Sequence, residues 1–391
     1  MPAETIRISY GRFAIRAIHP YQSRTLCFVS WSLAGGRAIA VVSESDIPIL
    51  SPMIFPVPDY LPLSYHLYYA TVRERLPEWF AIEGRSFPWR SIERAMSRKG
   101  DEIIHDPYMI LVSEVMLQQT QTARVVEKLP EFLALFPTVE ALASASRGDL
   151  IRAWRGMGYN RRALRLQEAA VEIVRRHHGI FPRTVAGLES LPGIGRYTAS
   201  AVACFAFGAD VPVVDVNIHR VYSRMFFRLI TAEMTMPAVT IERLATTIVP
   251  PGDAYRWHQA LMDFGATICT ARRPACSRCP LNDICLSAFP RPIELFDARQ
   301  DAKKEPEIRG VPRRIWRGQI VERLRGSHEP IRVSEIIDSL GTPSLFDQFT
   351  IPERRDLLEI FRRLMAEGFI VRGGVVREGE LQEGDMVMLP L

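Results

Sequence analysis

Four of the six cysteines fall within seventeen residues, as Cys269-x6-Cys276-x2-Cys279-x5-Cys285, while Cys27 and Cys204 stand alone. Four thiolates so placed can surround one metal centre, and the segment is too short to build much core without one. The spacing suits a metal site and not a disulfide scaffold. Ligand count leaves a structural zinc and a [4Fe–4S] cluster both open.

Two glycine-bearing turns carry groups suited to a polyanion. In LPGIGRYTA (191–199) the glycines Gly193 and Gly195 allow a sharp reversal with backbone N–H groups open to a phosphate at a helix start. In WRGMGYNRR (154–162) an aromatic residue, Tyr159, and the arginines Arg161 and Arg162 flank a tight turn, a combination suited to stacking on a base beside a phosphate contact. Either turn alone is equally compatible with an ordinary helix connection. The segment from Arg147 to Arg183 holds nine arginines against Asp149, Glu168 and Glu172, a net of six positive charges in a chain whose total is +5. Such concentration points to a polyanionic partner.

Two carboxylates are placed unusually. Pro107 opens an apolar helical pattern running to Gln121, on which Glu114 is the sole acidic residue; its neighbours Leu111, Val115 and Leu117 predict a half-buried position, where burial would raise its pKa. Asp215 stands at the predicted N-cap of a helix continuing through Arg224.

The elements that must position these groups are mainly helices. Helical patterns cover a stretch from Leu67, then Val125–Phe136, Ser146–Arg155, Leu164–His178, Tyr197–Phe207 and Glu242–Ala271. Residues 1–60 alternate weakly and have no assigned role; a short β-rich appendage and a loosely ordered leader fit them equally. Residues 291–310 read as a linker. Beyond it, Arg313–Arg325, Val333–Leu340 and Pro352–Glu367 predict three helices, and two β-branched runs about Gly373 and Gly374 predict a hairpin, together a winged-helix pattern. Arg354, Arg355, Arg362 and Arg363 on its third helix suit DNA, and a protein partner fits equally. The least polar run, Ile47–Pro58, is interrupted by four prolines, and no basic leader precedes an apolar core, so a soluble cytoplasmic protein is expected, with no membrane partner.

Laid side by side, SEVMLQQTQ (113–121), the GMGY turn (156–159), LPGIGRYTA…VVDVN (191–217) and the cysteine spacing resemble the helix-hairpin-helix DNA glycosylases of the endonuclease III superfamily, and more narrowly their adenine glycosylase branch, MutY. The resemblance covers roughly Leu67–Cys285. It implies a mainly α, two-lobed glycosylase fold over 61–290, with a six-helix barrel lobe at about 107–230 and an iron-sulfur lobe, followed by the winged-helix-like domain at 311–391. It also implies that the four cysteines hold [4Fe–4S], and that the partner is duplex DNA containing a mismatch or an oxidised base, bound by a monomer.

Carried over residue by residue, the family's general acid falls on Glu114 and its essential aspartate on Asp215, with Tyr197 and Asn217 supporting Asp215 and the sugar. Tyr197 stands where lyase members carry a Schiff-base lysine, so water is the expected nucleophile and the enzyme is expected to be monofunctional. Gln119 matches the residue wedged into the helix stack. Met157 and Tyr159 match those touching the base opposite the flipped one, and Arg85, Trp89 and Leu117 those lining the pocket for the target base. Arg161, Gly193 and Gly195 complete the expected DNA contacts. The implied activity is hydrolytic release of a mispaired base, adenine opposite 8-oxoguanine or guanine. Two departures qualify it: MutY proteins commonly end in a Nudix-like domain, and Asn160 stands where a second tyrosine is frequent. Thymine or uracil release at guanine mismatches is the second reading, and a non-catalytic iron-sulfur DNA sensor the third.

Overall fold

The computed structural model describes residues 7–10, 13–18, 26–33, 36–43, 63–90, 97–98, 101–102, 105–227, 236–288, 305–340, 350–373 and 379–391; before Tyr68 it describes the backbone alone. The predicted linker lies almost wholly outside these residues, as do Gly374 and the four residues after it. Four strands come first: β1 (Arg7–Tyr10), β2 (Phe13–Ile18), β3 (Leu26–Leu33) and β4 (Gly36–Ser43), an antiparallel meander in that order. Eleven helices follow among the described residues: α1 (Leu63–Glu83), α2 (Pro107–Leu117), α3 (Thr122–Leu135), α4 (Val139–Ser144), α5 (Arg147–Ala153), α6 (Arg161–His177), α7 (Val185–Glu189), α8 (Arg196–Phe207), α9 (Val216–Phe227), α10 (Ala238–Ile248) and α11 (Ala254–Thr267). The chain closes with α12 (Arg313–Arg325), β5 (Ile331–Arg332), α13 (Val333–Ser339), α14 (Ile351–Ala366), β6 (Val371–Gly373) and β7 (Met386–Met388).

These elements divide into two compact units, residues 1–85 with 210–296, and residues 86–209 with 297–391. In the second unit the core is built around α2. Asp106 caps it by accepting the Tyr108 N–H at 2.9 Å, Pro107 fills its first position, and Tyr108 through Met116 are all buried. An apolar helix without a polar face has to be enclosed on all sides, and α3, α6 and α8 pack around it.

The helix ends sooner than the sequence pattern suggests, at Leu117 and not Gln121. Gln118 has extended backbone (ψ 118°) and Gln119 takes φ 53°, so the chain reverses there. Propensity alone does not stop a helix at two glutamines. The freed carbonyls instead find a tertiary partner in Arg162: Nη1 donates to Val115 O at 2.7 Å, to Met116 O at 3.0 Å and to Gln118 O. The helices α4 and α7, unpredicted, are too short for their periodicity to register. The predicted Glu242–Ala271 helix is two, α10 and α11, parted by the Pro250-Pro251-Gly252 bend.

In the first unit α1, α10 and α11 surround α9. Tyr68 Oη donates to Met225 O at 2.9 Å, Arg73 Nε to Ile248 O at 3.0 Å, and Trp79 meets Phe264 edge-on at 5.4 Å. The C-terminal module has the winged-helix order of three helices and a sheet ordered β6-β7-β5, antiparallel throughout. Val371–Gly373 pairs with Met386–Met388, while the run just after Gly374, on which the other half of the expected hairpin falls, lies outside the described residues. The apolar residues that seal the sheet include Val387 on β7 and Leu389 just after it, both buried.

Candidate active site and iron-sulfur loop

Glu114 sits near the C-terminal end of α2, on the fourth residue from its last, at 5% exposure and within an otherwise uncharged helix. Beyond the helix end, Gln119 is exposed in its left-handed conformation, and Gln118 Nε2 donates to Thr198 Oγ1 at 3.2 Å, tying this reversal to the first turn of α8. Tyr197, half-buried, lies on that same first turn. The α7 and α8 helices are joined by a hairpin in which Gly193 has φ 74° and Ile194 N–H donates to Leu191 O at 3.2 Å, and Gly195 forms the N-cap of α8. A side chain at Gly193 would run into Arg165, so both its φ and its surroundings demand glycine. With no capping side chain, the α8 N-terminal N–H groups face outward, as an anion would require.

The GMGY turn is unusually contorted: Gly156, Gly158 and Tyr159 all have positive φ, at 82°, 66° and 43°. Tyr159 is 60% exposed, whereas Met157 is 4% exposed, its side chain closed inward. Arg162 holds the turn from beneath, Nη2 donating to Met157 O at 3.1 Å and Gly158 O at 3.3 Å, while Trp154 Nε1 donates to Gly158 O at 3.1 Å. Burial lowers the Arg162 pKa from its ordinary value. The two adjacent arginines thus differ: Arg162 is an internal clamp, and Arg161 is exposed. Several others of the basic segment are neutralised locally, Arg152 by Asp149, Arg165 by Glu168 and Arg176 by Glu172.

Asp215, in the first unit, caps α9 as predicted. Its Oδ1 accepts the Ile218 N–H at 2.7 Å, and its Oδ2 accepts Asn217 Nδ2 at 2.8 Å. The approach to it is held by a residue that the sequence did not single out. His258, fully buried, accepts the Val213 N–H on Nε2 at 3.0 Å and donates from Nδ1 to Ala254 O at 2.7 Å, a neutral tautomer, and burial lowers its pKa to about 4. Asn217 Oδ1 in turn accepts Arg220 Nη2 at 3.1 Å, and Arg220 reaches Cys269 O at 3.0 Å and Gly265 O at 2.7 Å.

Of the expected base-pocket residues, Arg85 belongs to the first unit and is clamped to Asp263, whose side chain is fully buried: Nη2 meets Oδ1 at 2.7 Å and the Arg85 N–H meets Oδ2 at 2.7 Å. Trp89 is buried and stacked on Phe87 at 4.8 Å with an interplanar angle of 8°, and Leu117 is half-buried at the end of α2. Nothing in the sequence pairs Arg85 with a carboxylate 178 residues away.

Cys269, Cys276, Cys279 and Cys285 are unbridged and line one cavity, whose other walls include Met225, Phe264, Ile268 and Leu281. This donor set fits an iron-sulfur cluster. As thiols, Cys279 and Cys285 are pushed up to about 11 and about 12, by burial first and, among the neighbouring charges, by Cys269 most, so four anionic sulfurs here require a compensating positive centre. Polar groups already reach the sulfurs: Arg224 Nη1 lies 3.6 Å from Cys269 Sγ and 2.7 Å from Thr270 O, and the Leu281 N–H donates to Cys279 Sγ at 3.4 Å.

Comparison with known proteins bears on two segments. Residues 112–240 match the HhH-GPD superfamily base excision DNA repair protein, and residues 269–285 match the iron-sulfur binding domain of endonuclease III. The adenine DNA glycosylase of Mycobacterium tuberculosis (strain ATCC 25618 / H37Rv) is 39% identical over 263 residues, covering 66% of this chain and 80% of that protein. The Homo sapiens adenine DNA glycosylase is 41% identical over 232 residues, covering 57% of this chain and 41% of that protein. A solved thermostable thymine-DNA glycosylase superposes with a TM-score of 0.50 at 29% identity, covering 57% of this chain and 95% of that one. The chain accordingly carries a [4Fe–4S] cluster, with residues 269–285 as its binding segment, and the reaction class is cleavage of an N-glycosyl bond in DNA. The chain belongs to the helix-hairpin-helix DNA glycosylases of base excision repair, in their adenine DNA glycosylase branch.

Proposed function

We propose that this glycosylase releases adenine mispaired with 8-oxoguanine or guanine, by hydrolysis and without a lyase step. The observation that carries the reading is the contrast between its two carboxyl groups: Glu114 buried in an apolar helix, and Asp215 held by a helix N-terminus and Asn217. Stretching the glycosidic bond puts positive charge on the sugar and negative charge on the departing base. Glu114 gives its proton to a base nitrogen, so that adenine leaves neutral as the C1′–N bond breaks. The Asp215 carboxylate, its orientation fixed by two accepted hydrogen bonds, stabilises the sugar cation until water adds to C1′ and loses a proton.

Gln119 is the wedge, Tyr159 and Met157 the reader of the opposite base, and Arg161 with the Gly193–Gly195 hairpin the phosphate contacts. Met157 acts through the shape it gives the turn, or after turning outward on binding. Arg85, Trp89 and Leu117 line the base pocket, and Tyr197 and Asn217 support the sugar side. Cys269, Cys276, Cys279 and Cys285 would hold the cluster, which would tie the 269–285 loop together and supply no bond-breaking step. The domain order is an extension to residue 60, the glycosylase to 290, a linker, and the winged-helix module from 311, acting as a monomer on duplex DNA near the nucleoid.

The solved thymine-DNA glycosylase favours a second reading, pyrimidine release opposite guanine. Duplexes carrying adenine, thymine or uracil opposite 8-oxoguanine, guanine or cytosine, assayed for free base, decide between the two. Adenine release from the 8-oxoguanine duplex is the expected result; thymine or uracil release without adenine release overturns it. Borohydride should trap no covalent adduct, because Tyr197 has no amine to form one.

A further inference from the structure

Among the described residues, the C-terminal module meets α5 at both of its ends and the start of α6, the two helices that flank the GMGY turn. The Gly148 N–H donates to Pro390 O at 2.7 Å, Arg152 Nη2 to Ser327 O at 3.4 Å, and Arg155 pairs with Glu322. Arg325, with a side chain 7% exposed, makes the most pointed of these links. Its Nε donates to Ile151 O at 2.9 Å, a carbonyl in the last turn of α5, and its Nη2 donates to Asn160 Oδ1 at 3.0 Å. Asn160 is the N-cap of α6, yet its side chain makes no capping bond to that helix; it is turned to Arg325 instead. One guanidinium therefore bridges the end of α5 and the start of α6, closing over the turn between them.

That turn needs holding. Three of its residues have positive φ, and for Tyr159, which has a Cβ, the left-handed conformation costs roughly 1–2 kcal/mol. Arg162 holds the carbonyls within it, and Arg325 ties the helix end before it to the residue that follows it. Three of the four arginines on α14 are meanwhile paired with neighbouring carboxylates, Arg354 with Asp338 and Glu383, Arg362 with Glu380, and Arg363 with Glu359.

We propose that the winged-helix module serves this enzyme as a brace for the Gly156–Asn160 turn, with Arg325 as the positioning residue that sets discrimination of the base opposite the excised one. The functional half of this proposal rests on the adenine-release reading above. It also accounts for Asn160 where a tyrosine is frequent: an amide can accept from Arg325 and a phenol ring would fill the space between them.

The test uses the full-length, cluster-loaded protein and three variants, Arg325→Gln, Asn160→Ala and Asn160→Asp. Amide hydrogen exchange over 156–162 should speed by about tenfold or more in Arg325→Gln and Asn160→Ala, with α2 unchanged. In the same two variants the ratio of single-turnover adenine release opposite 8-oxoguanine to that opposite cytosine should fall by about tenfold, while Asn160→Asp, which keeps an acceptor, should retain both properties. Wild-type exchange in Arg325→Gln overturns the brace. Faster exchange with an unchanged ratio, or an equal loss of release opposite every base, overturns the specificity role. Should the wild type release a pyrimidine and no adenine, the substrate reading fails on its own, and the ratio is measured with that pyrimidine opposite guanine and cytosine.

Discussion

Glu114 and Asp215 are both carboxylic acids, and the chain houses them in opposite ways. Glu114 lies inside an apolar helix whose register leaves it at 5% exposure, reached through packing. Asp215 lies at a helix start, half-buried, with each oxygen already accepting a hydrogen bond, from the Ile218 N–H and from Asn217. The first environment suits a group that must carry a proton, the second a group that must remain an anion and keep its direction. On the proposed reading, two copies of one functional group take two roles from their surroundings.

The largest effect that sharpens this comparison is expected from Glu114→Gln. It should lower single-turnover adenine release by about 10³-fold or more, the scale of a lost general acid. Asp215→Asn should cost about 10²-fold, as the loss of a preorganised electrostatic partner does, with duplex affinity nearly unchanged. Cys276→Ala should come next, failing to retain iron and binding duplex DNA about tenfold more weakly, with a smaller loss in the excision step. Full cluster occupancy in that variant, read from the visible absorption and iron content, would remove Cys276 from the ligand set.

Acid should act through His258, which holds the segment leading to Asp215 at Val213. Its folded pKa of about 4 lies below the unfolded 6.5, so its neutral form contributes stability that is complete above pH 6.5 and lost as pH falls toward 4. That loss is on the order of 3 kcal/mol, and His258→Gln should flatten the corresponding part of a denaturation profile against pH. The smallest effect belongs to a residue outside the comparison. Arg161→Ala should leave both carboxylates working and reduce the salt dependence of duplex binding by about one phosphate's worth. An unchanged slope would place that contact elsewhere.

What was legible beforehand was what is local. The cysteine spacing, the proline-started α2, the Asp215 cap and the glycines at positive φ are all written in runs of a few residues, where local sterics and hydrogen bonding decide the outcome. What was not legible depends on partners distant in sequence. The stop of α2 at Leu117 is set by Arg162, the orientation of Arg85 by Asp263, and the setting of Val213 by His258. The same is true of β6, whose partner strand begins thirteen residues after Gly373. The four arginines of α14 read as a basic surface in one dimension, and three of them are neutralised once the fold brings Asp338, Glu359, Glu380 and Glu383 alongside.

The division of labour between the two carboxylates is tested most directly by changing the leaving group. Single-turnover release is measured for wild type, Glu114→Gln and Asp215→Asn on duplexes carrying adenine and, in its place, a purine analogue that departs more readily as an anion. A better leaving group needs less help from an acid and the same help at the sugar. The defect of Glu114→Gln should therefore shrink by about tenfold or more on the analogue, while the defect of Asp215→Asn stays constant. Equal defects for Glu114→Gln on both substrates would contradict its role as the proton donor.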